Sequence, residues 1–367
     1  MTELQPSAAR TASPIRLTLL TGFLGAGKTT VLNRLLSEPS VTDTAVVVNE
    51  FGEVGIDQML VEAEVSDGLI ELSDGCLCCS VRGELVETLE RLADRSRKGR
   101  TLSRVVVETT GLADPTPILA AIMTHPVLVE AYALDAVVCV VDAVNGEMNL
   151  SERVEAARQL AVADRIVLTK SDLAPANEER LRRTIRAVNA HGEVVAMNDA
   201  RSLADRILDC GISKMDGSLG DPADWLGHSH AVGSDHDHRH RHGSVRSMAL
   251  VHDAPIPEQA AFAFLEMLGS FEGERILRMK GIVLTLEHPE RPLVLHGVRG
   301  YLHPPARLPA WREDAKCQSR LVIIGENLNE PRVRDLFAAF TGGARTDAPD
   351  RVAIEDNPLV IPGMSFN

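Results

Sequence analysis

The sequence predicts an α/β fold: a doubly wound domain built on a mostly parallel sheet, followed by a smaller C-terminal α+β domain. Over the first 200 residues, short β-branched or apolar runs alternate with segments of helical composition, and polar loops follow these runs directly. Such alternation is typical of a parallel sheet that is covered by helices on both faces. At 367 residues the chain is also long for a single hydrophobic core, which favours two domains.

The predicted strands of the first domain are apolar or β-branched runs that end in polar residues. They cover residues 15–20, 44–48, 69–72, 105–107, 136–141 and 166–168. Helical composition or spacing predicts helices over 84–92, 152–162 and 177–188. Ligands of such sheets bind at the carboxyl ends of the strands, so the loops after these strands should converge on one site.

The second half of the chain begins with a segment whose composition cannot form a core. Residues 228–242 hold six of the twelve histidines, interleaved with Asp, Arg, Ser and Gly, which predicts a flexible linker. Beyond it, strands are predicted at 245–251, 281–287, 293–298 and 320–324, and helices at 258–268 and 330–340. The predicted boundaries are 15–200 for the first domain, 201–244 for the linker, 245–341 for the second domain and 342–367 for a loose tail.

Composition and charge restrict the function classes. The chain is 44% hydrophobic and 25% charged, as expected for a soluble globular protein, and its formal net charge of −14 argues against a nucleic-acid partner. It has no uncharged apolar run of the roughly 18 residues that a membrane helix needs. Residues 1–14 lack the apolar segment of a secretory signal. The sequence therefore predicts a cytoplasmic protein that binds neither nucleic acid nor membrane.

The most specific signal is the stretch TGFLGAGKTT at residues 21–30, which lies between a predicted strand and a segment of helical composition. It fits the phosphate-loop pattern G-x-x-x-x-G-K-[ST] of the P-loop NTPases. Glycines allow backbone N–H groups to curl around phosphate oxygens, at a helix N-terminus that favours negative charge. Lys28 would reach the β- and γ-phosphates, and the Thr29 hydroxyl would take a place on Mg²⁺. The predicted nucleotide contacts in this loop are Gly22, Gly25, Ala26, Gly27, Lys28, Thr29 and Thr30.

A carboxylate is predicted to face the phosphate loop. Glu108 ends the strand at 105–107 and begins the run Glu-Thr-Thr-Gly, which closes with Gly111. A carboxylate there can hold Mg²⁺, directly or through water, and Gly111 allows its backbone to approach the γ-phosphate. Taken alone, Glu108 could equally be a polar strand end. Because the phosphate loop is present, we predict Lys28, Thr29 and Glu108 as the catalytic residues.

The nucleotide base is predicted to contact the loop formed by Thr169, Lys170, Ser171 and Asp172. The carboxylate of Asp172 could accept from both the ring N–H and the exocyclic amine of guanine, a donor pair that adenine lacks. The stem of Lys170 could cover the face of the base. A solvated loop is the alternative, and the position of the loop after a strand favours GTP.

Three of the six cysteines form a cluster: Cys76, Cys78 and Cys79. In a cytoplasmic chain such a cluster indicates a metal or redox site rather than a disulfide framework. Thiolates at a helix start have a lowered pKa and bind borderline metals such as Zn²⁺ well. Zinc takes four ligands, so three thiolates leave one position for another side chain, water or a receiving protein. A redox thiol pair and inert buried cysteines are the alternatives.

Further metal ligands are predicted in three places. Glu50 and Glu53 lie in the loop after the second strand, and His125 is either an additional ligand or a structural residue. Neutral imidazoles are metal ligands, so the histidines at 228–242 could hold metal loosely. A solubilising linker is the alternative interpretation of that segment.

The order of these motifs resembles that of a known family. NEFGE at 49–53, GCLCC at 75–79, ETTGLADP at 108–115 and ADRIVLTKSDL at 163–173 follow the phosphate loop and precede the histidine-rich segment. The chain resembles the CobW-type metallochaperone GTPases of the G3E group, which also contains urease and hydrogenase nickel-insertion GTPases. The resemblance spans about 15–341 and includes LRMKG at 277–281 and LHGV at 295–298.

This resemblance implies GTP hydrolysis coupled to delivery of a divalent metal, Zn²⁺ or alternatively Co²⁺, to a client protein. It implies phosphate and Mg²⁺ roles for Lys28, Thr29 and Glu108, a guanine role for Asp172 and a cargo role for the cysteine cluster. Thr169 departs from the asparagine that many GTPases have at this position. A non-catalytic zinc buffer and an ATP-using kinase are the alternative functions. The client and the oligomeric state are open, with a homodimer as one option.

Overall fold

A computed structural model describes residues 14–48, 69–71, 80–98, 102–212, 225–226, 245–311 and 316–342. Glu50, Glu53 and the cysteine cluster lie outside the described residues, as does the histidine-rich segment 228–242. Among the helices that the structure describes, none is long and apolar enough to span a bilayer.

The first sheet confirms the predicted doubly wound α/β fold. Its strands are β1 Ile15–Gly22, β2 Thr44–Val48, β3 Leu69–Glu71, β4 Arg104–Glu108, β5 Tyr132–Asp142, β6 Arg165–Thr169 and β7 Glu193–Ala196. They pair in the order β3-β2-β4-β1-β5-β6-β7, and every pair is parallel. The strand order reverses at β1, so a crevice lies beside the carboxyl ends of β1 and its neighbours.

Helices cover both faces of this sheet. They are α1 Lys28–Leu36, α2 Ser80–Arg97, α3 Thr116–Thr124, α4 Pro126–Ala131, α5 Gly146–Glu152, α6 Val154–Ala161, α7 Glu178–Val188 and α8 Leu203–Ile207. Successive strand residues point to opposite faces, so Val106 packs with α1 and α8 while Val105 and Val107 pack with α2, α3, α6 and α7. Burial on both faces explains why the strands are near-continuous apolar runs.

Two predictions for the first domain are corrected by the structure. The helix predicted over 152–162 is interrupted at Arg153, whose extended conformation (φ −116°, ψ 115°) separates α5 from α6. The predicted linker begins at residue 201, whereas in the structure α8 buries Leu203, Ala204 and Ile207 in the apolar cluster of the first sheet. The first core therefore continues past residue 200.

The second domain is an antiparallel sheet with two helices, as the predicted α+β class requires. Its helices, α9 Glu258–Glu272 and α10 Glu330–Phe340, pack on one face of the sheet. The other face packs on the first domain through residues such as Ile282 and Val294. The strands are β8 Val245–His252, β9 Ile276–Val283, β10 Leu293–Val298, β11 Tyr301–Leu302, β12 Ala306–Arg307 and β13 Ser319–Glu326. Their order is β11-β10-β9-β13-β8, and β12 also pairs with β10.

The strand predicted at 281–287 is β9, which begins five residues earlier, at Ile276. It carries Arg278 and Lys280, which are buried at the domain contact and pair with Asp164, just before β6. The Lys280 ammonium also donates to the carbonyl of Trp225 at 2.8 Å. Burial alone would raise the pKa of Asp164, but the two cations hold this pKa well below its usual range. Burial also lowers the pKa of Lys280, to about 8.

Candidate functional site

The phosphate loop lies between β1 and α1, as predicted. Gly22 ends β1 with φ 148°, and a Cβ atom there would lie 2.5 Å from the carbonyl oxygen of Val140 in β5. A side chain is therefore excluded at this position, because the backbone at the end of β1 packs directly against the backbone of β5. Ala26 closes a turn by donating its N–H to the Phe23 carbonyl at 3.1 Å.

Lys28 is the first residue of α1, and its ammonium group lies over the loop. It donates to the carbonyl of Gly22 at 3.1 Å and to that of Phe23 at 3.5 Å. The positive charge is thus held at a helix N-terminus, where the backbone already favours anions. Thr29 and Thr30 follow in the first turn of the same helix, and both are exposed.

Glu108 faces the start of α1. The register pairs Leu20 of β1 with Glu108 of β4, and the Thr29 hydroxyl donates to Glu108 Oε1 at 3.3 Å. Only 2% of Glu108 is exposed. A hydroxyl beside a buried carboxylate supplies the hard oxygen donors that Mg²⁺ prefers, so the residues present fit the cation that the sequence implies.

Gly111 lies against the phosphate loop itself. A Cβ atom at this position would lie 2.7 Å from the backbone nitrogen of Leu24. Two residues earlier, the Thr109 N–H donates to the Leu20 carbonyl at 2.9 Å, and the Thr109 hydroxyl lies 2.9 Å from that of Thr21. The loop after β4 is therefore in direct contact with the residues that would surround phosphates.

The loop 169–172 is attached to the phosphate loop by side chains. Thr169, which is buried, donates to the Ala26 carbonyl at 2.6 Å. The Lys170 ammonium donates to the Gly25 carbonyl at 2.8 Å and to Asp142 at 2.7 Å. Asp172 lies exposed on the turn that follows.

Two residues of this region escaped the sequence analysis. Asp142 ends β5, as Glu108 ends β4, and this position was the available signal. Burial would raise its pKa, but hydrogen bonds from Lys170 and from the Val144 N–H keep the pKa below its usual range. Gln159 is a fully buried amide on α6, and its apolar helix face gave no sequence signal for a polar role.

His125 lies apart from these loops. Its ring Nδ1 is 3.7 Å from Glu90 Oε1 on α2. Glu90 is ten residues into the helix that begins at Ser80, or about 15 Å along its axis. The clustered cysteines lie outside the described residues, so the role of His125 as their additional ligand stays a prediction. In the part of the chain that the structure describes, no three His, Cys, Asp or Glu residues are grouped to hold a metal ion.

Comparisons with known proteins follow the same two-domain division. Residues 16–196 match the family model "CobW/HypB/UreG, nucleotide-binding domain", and residues 245–341 match "Cobalamin synthesis protein cobW C-terminal domain". The zinc chaperone YjiA of Escherichia coli strain K12 is 33% identical over 332 residues, which cover 89% of this chain and 99% of YjiA.

Solved structures of YjiA have the same architecture. The crystal structure of the Zn(II)-bound YjiA GTPase from E. coli matches with a TM-score of 0.62 at 28% identity, over 89% of this chain and 99% of that one. A Zn(II)-bound triple mutant of YjiA, with one glutamate and two cysteines replaced by alanine, matches with a TM-score of 0.63 at the same identity and coverage.

Proposed function

The chain belongs to the CobW/HypB/UreG family of GTPases, and from that premise we propose that it is a metallochaperone that hydrolyses GTP. It binds Zn²⁺ at Cys76, Cys78 and Cys79 and transfers the ion to a client protein under nucleotide control. Co²⁺ is the alternative cargo. The observation that carries the proposal is the hydrogen bond from Thr29 to buried Glu108 at the start of α1, where the Lys28 ammonium lies over the phosphate loop.

The phosphates would be held by the loop between β1 and α1. Lys28 would exchange its two carbonyl partners for the β- and γ-phosphates, and the backbone N–H groups of the loop would donate to phosphate oxygens. Thr29 and Glu108 would hold Mg²⁺, which when bound neutralises charge on the phosphates. Gly111 would bring its backbone close to the γ-phosphate, because nothing larger fits against Leu24.

Guanine would be bound by the loop 169–172. The exposed carboxylate of Asp172 is available to accept two N–H groups from the base. Lys170 is fixed by Asp142 and Gly25, so its stem, rather than its ammonium, would contact the base. This arrangement supports GTP over ATP, and it opposes the ATP-using kinase alternative.

Two strand ends support a link between the nucleotide and the metal. Cys79 is bonded to Ser80, the first residue of α2, and α2 is the crossover helix between the parallel strands β3 and β4. The N-terminus of such a helix lies at the carboxyl edge of the sheet, where Glu108 also lies. β2 also ends at this edge, and Glu50 and Glu53 follow it in the sequence. A change at the phosphates would thus act on segments that carry the proposed metal ligands.

The experiment compares zinc affinity in the GTP-analogue-bound, GDP-bound and nucleotide-free protein. We expect the affinity to differ between these states in the wild-type chain and the difference to disappear when the three clustered cysteines are changed to serine. Cys317→Ser is the matched control, because Cys317 is a free, exposed cysteine of the second domain. Total zinc binding is the weaker measure, since YjiA still carries Zn(II) after loss of two cysteines. Equal zinc affinity in all three states would refute nucleotide control.

A further inference from the structure

The loop between β4 and α3, residues 109–115, touches the phosphate loop at one end and the second domain at the other. At the first end, Thr109 donates to the carbonyl of Leu20, and Gly111 contacts the backbone of Leu24. A shift of these residues towards or away from the γ-phosphate position must move the rest of this short loop, because Ala113 closes a turn onto Thr110 at 3.1 Å.

The middle of the loop is held by Gln159 of α6. Its Nε2 donates to the Gly111 carbonyl at 3.1 Å and to the Ala113 carbonyl at 3.0 Å. The side chain is fully buried, and its Oε1 accepts no hydrogen bond from the residues that the structure describes. A buried acceptor without a hydrogen bond costs free energy. A different position of the loop 109–115 could supply a donor to Gln159 Oε1 and remove this cost.

The far end of the loop is Asp114, which binds two arginines. Arg299, between β10 and β11 of the second domain, lies 3.2 Å from Asp114 through Nη2 and also donates to the Thr116 hydroxyl at 3.1 Å. Arg158 of α6 lies 3.5 Å from Asp114. It also makes a bidentate hydrogen bond to the carboxylate of Glu326 in β13, from Nε at 2.7 Å and from Nη2 at 2.8 Å. Asp114 is therefore tied to the second domain directly and through Arg158.

Arg299 has an unusual backbone conformation. Its φ of 55° lies in the left-handed region, which non-glycine residues avoid. Two-residue hairpin turns such as the one between β10 and β11 favour a positive φ at this position, so the hairpin fixes where the Arg299 side chain leaves the second domain. Here the conformation belongs to the one residue of the turn whose side chain reaches the nucleotide domain in the described structure.

We propose that Arg299 and Arg158 are positioning residues for GTP hydrolysis. Through Asp114 they fix the loop 109–115 beside the phosphate loop, so that the second domain sets the geometry of the nucleotide site. By reciprocity of coupling, the nucleotide state changes the contact of the second domain with Asp114. This inference rests on the proposed GTPase function and assigns the second domain a part in it.

The first test measures kcat and KM for GTP by phosphate release in the full-length chain. For Arg299→Ala we expect kcat to fall about tenfold with KM within about twofold, because the loop is misplaced while the substrate contacts remain. Arg307→Ala is the matched control: Arg307 also pairs with a carboxylate, Glu258, but inside the second domain, and its loss should leave both constants unchanged. Equal kcat values for the two variants and the wild type would overturn the proposal.

The second test needs no turnover and remains valid if Arg299→Ala fails to fold. Hydrogen exchange of the segment 293–303 is compared in the GDP-bound and GTP-analogue-bound chain, for wild type and Glu326→Gln. We expect a nucleotide-dependent difference in the wild type that is reduced in the variant. If the wild type binds and hydrolyses GTP but shows no such difference, the proposed coupling between the second domain and the nucleotide site is overturned, and the proposed GTPase function is not. A wild type that binds no guanine nucleotide overturns the proposed function as well.

Discussion

Two groups of polar contacts between the domains in the described structure differ in burial and in the part of the nucleotide domain that they reach. The contact of Asp164 with Arg278 and Lys280 is almost fully buried and reaches no loop of the nucleotide site. The contact of Asp114 with Arg158 and Arg299 is partly exposed, with 20 to 36% of these side chains accessible, and it ends on the loop that lies against the phosphate loop. The buried contact of Asp164 suits permanent attachment of the two domains. The partly exposed contact of Asp114 can break and re-form at a small cost in free energy.

The largest expected effect tests the buried contact. Asp164→Asn should lower the free energy of unfolding by about 3–5 kcal/mol, because it leaves two buried cations without their carboxylate. Urea unfolding measures this loss. Glu178→Gln breaks the partly exposed pair with Arg182 on α7 and serves as control, with an expected loss of about 0.5 kcal/mol. An Asp164→Asn loss no larger than that of the control would contradict the permanent role of this contact.

A second effect tests the loop on which the partly exposed contact ends. Gly111→Ala would place a Cβ atom 2.7 Å from the Leu24 nitrogen, so the loop must move away from the phosphate loop. We expect GTP turnover to fall by about 10- to 100-fold, since small misplacements at a reacting centre are costly. Gly83→Ala is the control, because this helical position has open space around it. Its turnover should be unchanged and its stability raised by up to about 1 kcal/mol.

Acid should weaken the buried contact selectively. The pKa of Asp164 is lower in the folded chain than in the unfolded chain, so the unfolded state takes up this proton first as the pH falls. The stability that the carboxylate supplies is complete above about pH 4 and is lost below it. The stability difference between wild type and Asp164→Asn should therefore shrink as the pH falls from about 4 towards 2. A difference that stays constant over this range would show that the carboxylate titrates normally.

The smallest effect concerns the pair of Arg158 with Glu326, through which Asp114 is linked to the second domain. A double-mutant cycle with Arg158→Ala and Glu326→Ala should give a coupling energy of only about 0.5–1 kcal/mol, because both side chains remain partly solvated. Thermal unfolding of the four proteins provides the values. A coupling of several kcal/mol would make this contact as rigid as the buried one and would remove the distinction between them.

The phosphate loop, most strands and the second domain could be predicted from sequence because their signals are local. Lys28, Thr29 and the glycines occur at fixed spacing, and the strands are continuous apolar runs. The start of β9 could not be predicted, because Arg278 and Lys280 resemble surface residues until Asp164, more than 100 positions earlier, is seen beside them. The roles of Gln159 and Asp114 were hidden for the same reason: their partners are distant in sequence and meet only in the fold.

The attachment of Thr169 and Lys170 to the carbonyls of Ala26 and Gly25 has a consequence for selectivity. Under the proposed function, the loop that would bind the purine is hydrogen-bonded to the loop that would bind the triphosphate, so an ill-fitting purine would displace the carbonyls next to the phosphate position. Discrimination between GTP and its analogues should then appear in the rate of the chemical step as well as in the strength of binding.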